Sequence, residues 1–87
     1  MPTISMFFGI IISMFVGKKE HNPPHFHASY QNYKAMFNLD GELIEGDMPA
    51  RQRKYIEVWA DIHRDELYAN WTIAQNNEQP YKIDPLK

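Results

Sequence analysis

Three of the four histidines in the sequence fall within seven residues, in the string Glu20-His21-Asn22-Pro23-Pro24-His25-Phe26-His27. Imidazole is the commonest metal-binding side chain and also a ready acid or base near neutral pH. His25 and His27 are two positions apart, so an extended chain sets both on one face, where they can reach a single ion. The Pro23-Pro24 pair restricts where His21 can go, which suits a preformed site. Glu20 supplies a possible fourth ligand, and a set of imidazoles with one carboxylate fits a divalent zinc, nickel or iron ion. The competing reading is structural. In it His21 is a loop residue, and His25 and His27 hydrogen-bond across a sheet.

The fourth histidine, His63, lies in a stripe with Ile56, Trp59, Ala60, Leu67, Trp71 and Ala74 at spacings of three and four. It reads as a core histidine, bonded to backbone or to a tyrosine and buried under a helix. His25 and His27 are expected on the opposite side of their strand from Phe26, Ala28 and Tyr30, and at least partly accessible. A four-histidine centre is therefore not expected unless a bulge near Pro24 reverses the face.

Other chemistry finds less support. Cysteine is absent, which excludes disulfides, thiolate metal sites and thiol nucleophiles. Ser5, Ser13 and Ser29 lie in no nucleophile elbow, and Asp61, Asp65 and Glu66 are helix-surface carboxylates at generic spacing. There is no glycine-rich phosphate loop and no dinucleotide fingerprint. A small nucleolytic enzyme using His25 or His27 with a basic residue has no short signature, so that class stays open. Arg51, Arg53 and Lys54 cluster where a helix would begin and where its dipole favours an anion. Without a glycine-rich backbone they read as a solvated helix surface.

The elements that must position these residues follow from apolar period. Ile4, Met6, Phe8, Ile10, Ile12, Met14 and Val16 occupy even positions, with Ser5, Gly9 and Ser13 among the odd ones. That alternation predicts a strand over 3–7, a turn or bulge near Gly9, and a longer strand over 10–16. Phe26, Ala28 and Tyr30 alternate in a further strand, Gln31-Asn32 forms a turn, and Ala35, Phe37 and Leu39 alternate on the return. Asp40-Gly41 marks a tight turn before a short strand at 42–45. From Pro49 the period changes to 3.6, which predicts one helix to about residue 75, with Asp47 suited to the N-cap. Tyr55, Val58 and Ile62 fall off its main stripe and form a second apolar surface. The tail from Asn76 is extended, with Tyr81 and Ile83 available to dock it. A sheet with one apolar face and a helix with one apolar stripe bury each other, so the fold class is α+β: a small antiparallel meander covered on one face by a long C-terminal helix.

Size and charge set the outer bounds. The 87 residues (10.3 kDa) leave room for a single domain. A composition of 44% hydrophobic and 23% charged residues is globular rather than disordered. Two Trp, five Tyr and five Phe supply much of the core that such a short chain otherwise lacks. A net charge of −2 provides no basic field for nucleic acid. Residues 1–36 carry +2 and residues 37–87 carry −4, the latter a solvated acidic helix surface. The longest apolar run, Ile4 to Val16, is too short to span a membrane, and no basic leader with a cleavage site precedes it. A cytoplasmic protein is expected.

Several segments together resemble one family: Pro2-Thr3-Ile4-Ser5, His21-Asn22-Pro23-Pro24-His25-Phe26-His27-Ala28, Glu57-Val58-Trp59-Ala60, Asp65-Glu66-Leu67 and Asn70-Trp71. It is the small bacterial domain-of-unknown-function family numbered 4160, and the similarity covers nearly the whole chain. The resemblance implies a stand-alone protein of about this length without an assigned catalytic residue. Genes of the family often lie beside that of another small protein, which implies a toxin–antitoxin-like pair. The family carries Gly in the turn after the Tyr30 position, where this chain has Gln31-Asn32, and Asn tolerates a left-handed backbone.

Two functions of different class follow. One is a regulatory or interaction protein that binds a small partner from a neighbouring gene or a second copy of itself. The other is a metal-binding protein or metal-dependent enzyme centred on His21, His25 and His27.

Overall fold

Alternation in the first half becomes five strands: β1 (Thr3–Phe7), β2 (Ile10–Ser13), β3 (His25–Tyr30), β4 (Tyr33–Asn38) and β5 (Leu43–Gly46). In this computed structural model residues 1–17 and 23–87 are described. Spatial order equals chain order, and each neighbouring pair is antiparallel, so the sheet is a meander. β2 is shorter than the alternation predicts, although the Met14 N–H still donates to the Pro2 carbonyl at 3.2 Å. In the β3–β4 turn the left-handed residue is Gln31 (φ 52°), not the Asn that tolerates this conformation best. On β1, Thr3 faces Ser13 and Ser5 faces Ile12, which leaves Ile4 as the extra residue of a bulge. Both Ile4 and Ser5 are buried there.

The second half is helical in two pieces, α1 (Ala50–Ile62) and α2 (Arg64–Gln75), which corrects the expectation of one continuous helix. The backbone breaks at His63 (φ −108°, ψ 26°). A straight helix of that combined length would run to about 39 Å at 1.5 Å per residue. The longest extent of the molecule is 33 Å, so the two pieces do not lie on one straight axis. Asp65 and Glu66 in the first turn of α2 favour a new start there. Asp47 does not cap α1. Its N–H donates to the Lys34 carbonyl and remains part of the sheet, and Pro49 takes the N-cap position with no side-chain cap.

The core lies between one sheet face and the helices. Ile10, Ile12, Phe26, Ala28, Ala35 and Phe37 meet Ile56, Trp59 and Ala60 of α1, all buried. The Trp59 ring is 5.3 Å from Phe7 and 5.7 Å from Phe26, which stacks on Phe37. α2 adds Leu67, Asn70 and Ala74. Arg64 donates to Asp40 at 3.0 Å, tying the start of α2 to the β4–β5 turn at the surface. A hydrogen bond with Tyr68, then the Asp40 charge, raises the Arg64 pKa further.

The segment after α2 straps the molecule. α2 closes through Asn77 (φ 64°), with the Glu78 N–H donating to the Ile73 carbonyl and the Asn77 N–H to Ala74. The Ile83 N–H then donates to the Ile4 carbonyl at 2.7 Å, at the outer edge of β1. The Trp59 Nε1–H donates to the Asp84 carbonyl at 2.9 Å. Pro80 and Ile83 are buried and Leu86 is half-buried, an inward spacing of three. Tyr81 docks by its backbone, not its ring, which is 73% exposed. Among the described residues no helix is long and apolar enough to cross a membrane.

Candidate functional site

Because helices cover one face of the sheet, the other face is the place to look for a site. Register places two rows of side chains on it. Thr3, Ser13, His27, Met36 and Glu45 form one, and Met6, Ile11, Ser29 and Lys34 the next. Met6 and Ile11 are exposed, and Ser13, His27, Ser29 and Met36 are half-buried. A shallow depression of about 360 Å³ lies here, lined by Met1, Ser13, His27, Lys34, Met36 and Glu45 among others. Its floor mixes soft apolar methionines with hydroxyls, one imidazole and one charge of each sign.

The histidine pair sits at one end of this face. His25 and His27 lie on the same side of β3 with ring centroids 5.3 Å apart, as the two-residue spacing dictates. Their exposure differs from expectation. His27 is half-buried, but His25 is only 4% exposed because Trp71 of α2 packs on it at 5.3 Å. His25 Nδ1 lies 2.9 Å from the Pro23 carbonyl oxygen. A carbonyl can only accept, so Nδ1 carries the proton and donates it to Pro23. Metal-ligating histidines are commonly fixed in this way by a backbone carbonyl. His21, the third predicted ligand, lies outside the described residues, as does Glu20. Among the described residues no group of three His, Asp or Glu side chains gathers as a metal site would need.

His63 is not a core histidine. It occupies the break between the helices, with its side chain 14% exposed, and Nδ1 lies 2.6 Å from the Glu66 carboxylate. Its ring rests on Trp59 at 5.7 Å. The partner is therefore a neighbouring acid one turn on, rather than backbone or tyrosine.

Two residues that pattern reading missed matter more than His63. Asn70 is buried, and its amide holds both backbone groups of Tyr81: Nδ2 donates to the carbonyl at 2.8 Å, and Oδ1 accepts from the N–H at 2.9 Å. The available signal was a polar residue on the buried stripe, three positions after Leu67. Phe8 stands in the two-residue turn between β1 and β2 at φ 50°, and it is 53% exposed. The signal there was a bulky aromatic immediately before Gly9, where a tight hairpin favours Asn, Asp or Gly.

Fold and site together describe a small α+β protein whose helices pack on one face of an antiparallel sheet. Residues 9–72 match the domain of unknown function (DUF4160), and the chain belongs to that family. The matched span holds β2 to β5, the histidine pair and Trp71, and it leaves β1 and the C-terminal strap outside. No curated protein and no solved structure matches the chain significantly.

Proposed function

We propose that the protein is a single-domain, cytoplasmic regulatory module that binds a small partner protein through the uncovered face of its sheet. The partner is the product of a neighbouring gene, as in a toxin–antitoxin-like pair. What supports the reading is the unopposed row of Met6 and Ile11 beside Met36 and the half-buried polar residues around His27. Exposed apolar side chains on one continuous face are what protein interfaces use. Co-expression with the neighbouring gene product, followed by co-purification, tests it. Ile11→Glu with Met6→Glu should abolish capture while leaving the circular dichroism spectrum unchanged. Capture that survives both changes would place the interface elsewhere.

A metal-binding function is the second reading, and a specific observation favours it: the rings of His25 and His27 lie 5.3 Å apart, with His25 held through Nδ1 at the Pro23 carbonyl. Elemental analysis of untagged protein dialysed against zinc, nickel or iron(II) reads it directly. One ion per chain, lost in His27→Ala, supports the reading. Less than a tenth of an equivalent under all three conditions sinks it.

A further inference from the structure

α1 carries its charges in the order that its own dipole disfavours. Arg51, Arg53 and Lys54 crowd its beginning, where the first turn holds no acidic residue, and Asp61 stands in a last turn with no basic one. The positive end of a helix dipole repels cations and the negative end repels anions, so an isolated α1 is electrostatically ill made. No side chain caps it either.

Its outer surface is equally incomplete. Tyr55, Val58 and Ile62 follow each other at spacings of three and four, the pattern of a helix–helix seam; Tyr55 is half-buried at its inner edge, against the core, and Val58 and Ile62 face outward. Val58 is 49% and Ile62 61% exposed. Phe8 extends this seam, with its ring 4.9 Å from Tyr55. Its left-handed backbone strains a bulky side chain, and that strain serves to set an exposed aromatic ring against the seam.

We propose that this seam is a two-fold interface between two copies of the chain, with α1 of one copy antiparallel to α1 of the other. Charge selects the occupant. An antiparallel pair lays the basic beginning of each helix beside the acidic end of its mate, and the two dipoles oppose as well. With Val58 on the two-fold axis, Tyr55 of each copy meets Ile62 of the other. Lys54 and Asp61 are seven residues apart and flank the seam on the same side. Antiparallel helices bring like flanks together, so Lys54 faces Asp61 of the other copy twice over. A parallel pair would instead set basic end against basic end. The sheet face proposed for a partner protein lies on the other side of the sheet and stays free.

Sedimentation equilibrium of the full chain tests the proposal. A 13-residue helix is about 20 Å long, so the interface falls short of the ~800 Å² per partner of standard complexes, and dimerisation is expected across about 1–500 µM. Val58→Glu should keep the protein monomeric over that range, since it sets two carboxylates on the axis. Lys54→Glu alone should weaken association at least tenfold, and Lys54→Glu with Asp61→Lys should restore it. All three positions are exposed, and a melting temperature at low concentration no lower than that of the wild type confirms that each variant folds. Ile11→Glu should leave the dimer intact, which separates this interface from the sheet face. A wild-type monomer at the highest concentration, a dimer indifferent to Val58→Glu, or a double charge swap without recovery would each overturn it.

Discussion

Ser5 is buried at the bulge of β1, and its hydroxyl oxygen has no hydrogen-bond partner among the described residues. A buried hydroxyl that has lost water and gained nothing costs about 1–3 kcal/mol. Ser5→Ala removes the hydroxyl and leaves almost no void, so it should stabilise the protein by about 1 kcal/mol. In a domain this small that raises Tm by roughly 4–8 °C. A lower Tm would mean that the hydroxyl has a partner after all. The histidines show how far single residues were legible in the sequence. Alternation correctly set His25 and His27 on the face opposite Phe26, because side-chain direction along a strand has a period of two. It said nothing of cover. His25 is buried by Trp71, 46 positions further along the chain, and no local pattern reports such a contact.

At the scale of elements, strands and turns were nearly all legible because each is set by neighbours a few residues away. Gly9, Gln31-Asn32 and Asp40-Gly41 punctuated the meander where the hairpins form. The helical span was legible as far as Gln75, but its break at His63 was not, since the apolar stripe keeps its period across it. At that break His63 lies against Trp59 and turns Nδ1 to the Glu66 carboxylate, one turn on. Within α1 the buried stripe has a testable centre. Trp59 is fully buried, contacts Phe7 and Phe26, and bonds the strap through Nε1. Trp59→Ala should cost about 3–5 kcal/mol, whereas Val58→Ala in dilute protein should cost less than about 1 kcal/mol. Urea melts of the two variants at low micromolar concentration give the comparison. Equal losses would show that α1 is rotated about its axis.

At the scale of the whole molecule, the two ends of the chain close on each other. Ile83 bonds Ile4 at the outer edge of β1, so the strap covers a strand edge that would otherwise be open to other chains. Its fastening relies on body side chains reading the backbone of the strap: Asn70 takes both polar groups of Tyr81, and Trp59 takes the Asp84 carbonyl. These bonds ignore side-chain identity at Tyr81 and Asp84. Of the two residues the sequence offered for docking, Ile83 turns inward and Tyr81 does not; Pro80 and Leu86, which the sequence reading passed over, turn inward beside Ile83 at a spacing of three. Asn70→Ala should therefore act at a distance. It leaves a donor and an acceptor of Tyr81 without their buried partners and should cost about 1–3 kcal/mol. The whole domain has only about 5–15 kcal/mol in hand, so this loss is readily measured. Its signature is local as well as global. Lys82 is exposed beside the fastening, and trypsin should cleave there well before the body of Asn70→Ala unfolds. Asn70→Asp should not rescue it, because a carboxylate accepts from the Tyr81 N–H but repels the Tyr81 carbonyl. Freed of the strap, β1 offers an unpaired edge, and the Asn70→Ala protein should self-associate through it in a way that Val58→Glu leaves unaltered. Cleavage at Lys82 that is no faster in Asn70→Ala than in the wild type would show that Ile83 and Trp59 hold the strap without Asn70.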